Sequence, residues 1–228
     1  MKKKQFLCNG HTCVLYLQEN PQVLLVQLVD LRDLQEDTAY ETICSLADRP
    51  FLYLAAAVED WNKDLSPWEA PPVFGKEGFG DGAEAMLKLL TEIIGNVAAD
   101  PEKELPVILG GYSLAGLFAL WAAYQTDCFT AVAAVSPSVW FPRWTEYAET
   151  HSPFVKKIYL SLGDKEEKAR NPLMAQVGNC IRRQLELLQK DGSVEDCILE
   201  MNEGNHFKDP EKRCAKGFSW CIGAAVNE

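Results

Sequence analysis

Short runs of apolar, β-favouring residues recur along the chain, and from the third run onward segments with helical periodicity separate them. Several runs, such as the one around 107–109, are apolar without alternation, which is typical of strands buried on both faces. This pattern predicts an α/β fold, a three-layer α/β/α sandwich with a mostly parallel sheet. The runs lie at about 12–17, 23–29, 51–58, 107–112, 131–135, 157–162 and 195–201.

Helix signals mark the segments between the later strands. Residues 81–98 carry apolar side chains at intervals of three and four, which is the stripe of a helix lying on a sheet. Residues 172–190 repeat the stripe, and Asn171 is placed to cap its first free amides. Asp209 marks the start of a last helix in the same way.

The opening strands and the lack of a linker bear on domain organisation. The first two runs are expected to pair antiparallel through a turn at 19–21. No internal repeat or low-complexity tract divides the sequence, and 228 residues is an ordinary length for one α/β domain. We therefore predict a single domain over residues 1–228.

Composition and charge narrow the range of partners. Hydrophobic residues make up 47% of the chain and charged residues 24%, which is ordinary globular usage. A formal net charge of -11 argues against nucleic acid or a membrane as partner, and leaves a neutral or cationic small molecule open. The basic start lacks the apolar run of a signal peptide, and no stretch is long enough to span a membrane. We expect a cytoplasmic protein, whose oligomeric state the sequence leaves open.

The cysteines argue against disulfides. All eight stand singly along the chain, a spacing that suits reduced thiols. Cys8, His11 and Cys13 come nearest to a zinc-binding spacing, but no second cluster accompanies them. A metallohydrolase is therefore a minor alternative, and we expect neither a metal nor another cofactor.

The strongest chemical signal is a glycine-rich turn between a buried strand and an Ala/Leu-rich helix. Residues 109–116 read Leu-Gly-Gly-Tyr-Ser-Leu-Ala-Gly, with Ser113 at the centre. A nucleophile elbow needs small residues two positions on either side of its serine, because the tight turn lifts the hydroxyl above the sheet. Gly111 and Ala115 meet this need, although glycine is usual at the position of Ala115. The same turn also fits a structure without a reactive role, so the interpretation requires a base.

His206 is the histidine whose position suits a general base. His11 precedes the first strands and His151 lies in a polar segment, whereas His206 follows the last predicted strand and precedes the final helix. In hydrolases with a nucleophile elbow the chain order is serine, then acid, then histidine. We therefore predict Ser113 as nucleophile and His206 as its base.

The acid is expected in the loop after the strand at 157–162. That loop reads Gly-Asp-Lys-Glu-Glu at 163–167, and any of its carboxylates can point at the imidazole. Glu166 is the first choice, because it stands three residues after the glycine that ends the strand. Asp164 is the runner-up, Glu167 stays open, and the charges also fit a solvated loop.

Together these motifs resemble the esterase family of the α/β-hydrolase superfamily that includes esterase D-like and siderophore-esterase-like proteins. The resemblance covers about residues 50–218 and implies the α/β-hydrolase fold. It also implies ester hydrolysis through an acyl-enzyme on Ser113, with His206 moving the proton. Some siderophore-esterase-like relatives manage with a Ser/His pair, so whether the acid is needed stays open. The patches that carry the resemblance are 62–67 (Asn-Lys-Asp-Leu-Ser-Pro), 109–116, 136–140 (Ser-Pro-Ser-Val-Trp) and 203–207 (Glu-Gly-Asn-His-Phe).

The resemblance further implies an oxyanion hole, a pair of backbone N–H groups that bind the charge developing on the carbonyl oxygen. Leu114 supplies one of them, and the loop 59–61 supplies the other, for which we choose Trp61. The short segment 140–154 leaves room for little or no cap, so an open site is expected. Aromatic residues that either wall an acyl pocket or pin their loop to the core are Trp61, Trp68, Phe74 and Phe79.

The sequence therefore predicts a serine hydrolase that cleaves carboxylic esters or thioesters of small molecules. The alternative from another class is a catalytically silent protein of the same fold that binds a small molecule or a protein partner in the same cleft. Two features motivate that alternative: the alanine at position 115, where glycine is usual, and the open identity of the acid.

Overall fold

The computed structural model describes residues 2–73, 75–98 and 105–225, and an eight-stranded sheet runs through this part of the chain. The order across the sheet is β1-β2-β4-β3-β5-β6-β7-β8. The first two strands run antiparallel to their neighbours and the others pair in parallel. The strands are β1 (Lys2–Cys8), β2 (His11–Leu17), β3 (Leu24–Asp30), β4 (Leu52–Val58), β5 (Val107–Tyr112), β6 (Ala131–Val135), β7 (Lys157–Gly163) and β8 (Asp196–Asn202).

Helices cover both faces of the sheet. Side chains of α1 and α7 pack into one buried cluster, and those of α3, α4 and α6 pack into the cluster on the opposite face. The predicted three-layer α/β/α sandwich is thus confirmed. The helices are α1 (Thr38–Leu46), α2 (Trp61–Asp64), α3 (Ala83–Val97), α4 (Leu114–Ala123), α5 (Trp144–Thr150), α6 (Val177–Lys190) and α7 (Pro210–Ala225).

The apolar runs form strands because both of their faces are covered. In β5, Ile108 packs into the cluster under α7, whereas its neighbour Leu109 packs into the cluster under α4, and both are fully buried. Full burial of an aliphatic side chain stabilises the folded state by about 1.5–3 kcal/mol. Side chains on both faces of such a strand therefore contribute to stability. Burial on both faces holds the strands in place within the sheet. The loops considered for the chemistry begin at the carboxyl ends of these strands.

The expected antiparallel pairing of the first two predicted strands is wrong. β2 and β3 are separated by β4, which pairs antiparallel with β2 and parallel with β3. The partner of β2 on its other side is β1, reached through a turn at Asn9 and Gly10, whose φ angles are 50° and 89°. An Asn-Gly pair with positive φ at both positions is the signal of a two-residue hairpin. Pairing between β3 and β4 instead needs a crossover, which α1 supplies.

The predicted helices differ in detail. α3 and α7 lie where the periodicity places them, but the stripe at 172–190 begins with a 3-10 turn at Met174–Gln176, and the regular helix starts at Val177. The Oδ1 of Asn171 accepts from the backbone N–H of Leu173 at 2.9 Å, in the turn that precedes both elements, and neither the 3-10 turn nor α6 has a side-chain cap. The described residues include no helix long and apolar enough to cross a bilayer.

Candidate active site

Ser113 occupies the turn between β5 and α4, at the carboxyl edge of the sheet. Its backbone adopts φ 60° and ψ -119°, and its N–H donates to the carbonyl of Val135 at 3.1 Å. A non-glycine residue in such a conformation costs on the order of 1–3 kcal/mol and persists only where neighbours enforce it. The geometry of a nucleophile elbow, with the serine side chain raised above the strands, is therefore present.

The residues on either side of Ser113 explain why the turn tolerates an alanine. A Cβ atom placed on Gly111 would lie 2.3 Å from the carbonyl oxygen of Ala115, so glycine is required at position 111. Ala115 itself is only 1% exposed and fits into the core beneath the turn. The residue that departs from the usual pattern therefore leaves the turn intact.

His206 lies in the loop between β8 and α7, and its ring reaches Ser113. Nε2 of His206 is 3.0 Å from Oγ of Ser113, so the residues predicted as nucleophile and base are brought together. Below the ring, the hydroxyl of Tyr112 donates to the backbone carbonyl of His206. Burial raises the pKa of Tyr112 to about 12, which keeps this hydroxyl protonated at neutral pH.

Glu166 is the carboxylate of its loop that meets the imidazole. Its Oε2 lies 2.7 Å from Nδ1 of His206. The two alternatives have other partners: Asp164 accepts from the backbone N–H of Gly204 at 2.7 Å, and Glu167 pairs with Arg182. Among the three carboxylates of the loop, Glu166 is thus the one that contacts His206.

The second oxygen of Glu166 is held by three donors. Oε1 accepts from the backbone N–H of Gly163 at 2.7 Å, from the hydroxyl of Ser136 at 2.8 Å and from Nη1 of Arg213 at 2.9 Å. Burial alone would raise the pKa of this carboxyl, but the hydrogen bond and charge of His206, together with the hydrogen bonds from Gly163 and Ser136, outweigh it. The pKa of Glu166 therefore lies below its usual range.

An ionised carboxylate accepts hydrogen bonds only, which fixes the tautomer of the histidine. Because Oε2 of Glu166 cannot donate at neutral pH, the proton of this bond sits on Nδ1 of His206. Nε2 is then the basic nitrogen, and it faces the hydroxyl of Ser113. The three side chains form the relay that proton transfer from a serine requires.

Arg213 is a part of the site that sequence reasoning missed. It projects from α7, is 2% exposed, and joins Glu166 to the loop that carries His206. While Nη1 binds Glu166, Nη2 donates to the carbonyls of Glu203 at 3.1 Å and Asn205 at 2.9 Å. No periodicity distinguishes this arginine from a surface residue, so the sequence carried no signal for it.

Two cavities meet at Ser113 and His206. The apolar one has a volume of about 450 Å³, and the second has about 370 Å³. Trp61 lines both of them, whereas Trp68 lies elsewhere and donates its Nε1–H to the carbonyl of Pro142. Phe74 lies outside the described residues. Side chains that wall the apolar cavity include Trp61, Phe79, Leu114, Trp140, Met174 and Phe207.

The residues expected to supply oxyanion donors lie beside this apolar cavity. Leu114 is the first residue of α4, and Trp61 is the first residue of α2. The N–H groups in the first turn of a helix have no partner within the helix, so they are free to bind an anionic oxygen. Both residues line the same cavity as Ser113, which is where a bound carbonyl would lie.

The cluster considered for zinc is embedded in the sheet. Cys13 is fully buried, and Nδ1 of His11 lies 3.4 Å from the carbonyl oxygen of Ala57. Within the part of the chain that the structure describes, no three His, Cys, Asp or Glu side chains are arranged to hold a metal ion. All eight cysteines are free thiols.

The fold and the site geometry define an α/β-hydrolase-type architecture, and comparisons with known proteins support this. No family model matches the chain, and no curated protein matches it either. Among solved structures, siderophore hydrolase EstA from Aspergillus nidulans aligns with a TM-score of 0.73 and 20% identity, covering 99% of this chain and 95% of that one.

Two other solved structures resemble this chain, with TM-scores and identities in the same range. Siderophore hydrolase EstB from Aspergillus nidulans has a TM-score of 0.74 and 20% identity, over 95% of this chain and 94% of its own. An IroE-like serine hydrolase from Shewanella oneidensis has a TM-score of 0.78 and 15% identity, over 97% of this chain and 80% of its own. The chain therefore has the α/β-hydrolase fold of these proteins, as the sequence motifs imply.

Proposed function

We propose that this protein is a serine esterase that cleaves carboxylic esters or thioesters of small molecules. The observation that carries the proposal is the continuous relay from Ser113 through His206 to Glu166, with spacings of 3.0 and 2.7 Å. Its position at a nucleophile elbow, beside two cavities, is the arrangement that acyl transfer to water requires. The hydrolases with a similar fold agree with this function.

In the acylation step Oγ of Ser113 attacks the carbonyl carbon of the ester, and its proton passes to Nε2 of His206. The carbonyl oxygen takes the negative charge, which the N–H groups of Leu114 and Trp61 bind. As the tetrahedral intermediate collapses, the bond to the alcohol breaks and the protonated Nε2 donates its proton to the leaving oxygen. Ser113 is then esterified with the acyl group.

In the deacylation step a water molecule takes the place of the alcohol. Nε2 of His206 removes a proton from the water, whose oxygen attacks the acyl carbon, and the same proton returns to Oγ of Ser113 as the acid leaves. Throughout, the carboxylate of Glu166 keeps Nδ1 protonated and stabilises the imidazolium that forms twice in each cycle. The apolar cavity suits an acyl or aryl group bound beside the nucleophile.

The proposal is tested with a fluorophosphonate probe and p-nitrophenyl acetate. We expect the wild-type protein to be labelled at Ser113 and to hydrolyse the ester, and Ser113→Ala to lose both activities. Ser45→Ala changes an exposed serine of α1 and serves as the matched control, which should behave as wild type. Peptide mapping identifies the labelled residue.

Two outcomes would contradict the proposal. Unchanged turnover in Ser113→Ala would place the chemistry elsewhere. A folded wild-type protein that is neither labelled nor active on a broad panel of esters and thioesters would indicate instead a protein that binds a ligand in this cleft without cleaving it.

A further inference from the structure

The second cavity at Ser113 differs in character from the apolar one. It has a volume of about 370 Å³ and extends from the nucleophile towards α7 and the middle strands of the sheet. The two cavities share Trp61, Ser113, His206 and Phe207. An ester whose carbonyl carbon lies at Oγ of Ser113 would therefore place one of its halves in each cavity.

The floor of this second cavity is aromatic and carries buried polar groups. Tyr16 and Tyr53 line it, and each is 2% exposed. Gln27 lies among them at 8% exposure, and its Oε1 accepts from the hydroxyl of Tyr53 at 2.9 Å. Its Nε2 donates to Sγ of Cys214 at 3.8 Å, so both ends of the amide have partners in the protein.

The rim of the cavity is acidic. Asp33 and Glu36 approach from the segment after β3, and Glu211 approaches from the first turn of α7. Burial raises the pKa of Asp33, and the charges of Asp30, Glu211 and Glu36 add to that effect. A cation placed between the rim carboxylates would offset their negative charge.

The basic residues beside the rim have carboxylate partners outside it, and of these Arg32 also attracts Asp33. Among the described residues that line the cavity, none is a lysine or an arginine. Arg32, the neighbour of Asp33 in the chain, is paired with Asp30 at 3.0 Å, and Lys3 is paired with Asp37. The formal net charge of -11 adds a general attraction for cations.

We propose that this second cavity is a subsite for a cationic ammonium group on one half of the ester. Carboxylates at the rim neutralise the ammonium charge, and the apolar side chains of Val29, Leu34 and Ala39, which also line the cavity, contact its alkyl groups. The apolar cavity then holds the other, uncharged half. This substrate class rests on the proposed esterase function and adds to it a preference between two halves of the molecule.

The test compares two matched pairs of esters that differ only in charge. On the acyl side, p-nitrophenyl 4-(trimethylammonio)butanoate is compared with p-nitrophenyl 5,5-dimethylhexanoate. On the alcohol side, butyrylcholine is compared with 3,3-dimethylbutyl butyrate. We expect kcat/KM for the cationic member of at least one pair to be higher by roughly tenfold at low salt, and the ratio to fall as salt is added.

Variants then assign the preference to the rim. In Asp33→Asn/Glu211→Gln the ratio of cationic to neutral kcat/KM should fall towards unity. The matched control is Glu19→Gln/Asp127→Asn, which makes the same change in net charge at two exposed residues that do not line the cavity and lie near the opposite edge of the sheet. That control should keep the ratio of the wild type.

The outcomes separate this inference from the proposed function. Equal kcat/KM within both pairs, with clear hydrolysis of the neutral esters, would overturn the cationic subsite and leave the esterase intact. An equal loss of the ratio in the control variant would also overturn the subsite, because the preference would then belong to net charge alone. If no ester is hydrolysed and the fluorophosphonate probe does not label the protein, both the cationic subsite and the proposed esterase function are overturned.

Discussion

Nη1 of Arg213 lies 2.9 Å from Oε1 of Glu166, and the two side chains are 2% and 4% exposed. This ion pair joins the last helix to the loop that carries Glu166. Because both charges are buried, each depends on the other for compensation. Arg213 thus positions Glu166 without reaching the place where a substrate would bind.

Removal of Arg213 should destabilise the protein strongly. Arg213→Met leaves a buried carboxylate without its arginine partner, and the hydrogen bonds that remain from Gly163, Ser136 and His206 do not replace that charge. We therefore expect the free energy of unfolding to fall by about 3 kcal/mol, measured by urea denaturation. Arg213→Met/Glu166→Gln should regain part of that stability and none of the activity. Arg182→Met removes the exposed pair with Glu167 and should cost less than about 1 kcal/mol. Equal costs for the two arginine variants would contradict the role given to Arg213.

The stability that Glu166 contributes should depend on pH. Its pKa in the folded state is lowered, so its contribution is complete above the unfolded-state pKa of roughly 4.3 and is lost as the pH falls through the folded-state value. The difference in unfolding free energy between wild type and Glu166→Gln should be largest near neutral pH and shrink below about pH 4. Urea titrations from neutral to acid pH measure this difference, and a difference constant with pH would contradict it.

Substitutions in the acid loop should separate Glu166 from Asp164. Glu166→Gln removes the charge that holds Nδ1 of His206 protonated, so we expect kcat to fall by roughly 10²–10⁴-fold. Asp164→Asn disturbs only the hydrogen bond to the backbone of Gly204 and should keep kcat within about tenfold of wild type. Both are measured with p-nitrophenyl acetate. Loss of activity in Asp164→Asn alone would refute the assignment of the acid.

The elbow should tolerate change on one side of Ser113 and not on the other. Gly111→Ala places a methyl group 2.3 Å from the carbonyl oxygen of Ala115, so the turn cannot form and activity should be lost. Ala115→Gly restores the more usual residue and should leave kcat/KM close to wild type. Ester hydrolysis and fluorophosphonate labelling test both variants, and circular dichroism shows whether each is folded. A fully active Gly111→Ala would contradict the packing described for the turn.

The strands were predictable where burial alone decides them. β5 and β6 are apolar on both faces, and the sequence shows this directly. The pairing of β2 was not predictable from proximity, because β4 inserts beside it from a distant part of the chain. The Asn9–Gly10 turn did signal the β1–β2 hairpin, and the lysines of β1, which lies at the sheet edge, are typical of an exposed edge strand.

The candidate site was predictable where chain order constrains it. Ser113 and His206 follow from a local motif and from their places relative to strands, and Glu166 follows from the loop between them. No local motif and no position relative to a strand marks Arg213 in the sequence, because its burial depends on how α7 packs over β5 and β7. The side chains that shape the cavities come from separate segments for the same reason.

The hydrogen bond from Tyr112 to the carbonyl of His206 has a mechanical consequence. Tyr112 is the last residue of β5 and directly precedes Ser113, so a single strand end holds the proposed nucleophile and anchors the backbone that carries the proposed base. Ser113 and the backbone of His206 are therefore both attached to the end of one strand, and a movement of that strand end would displace both.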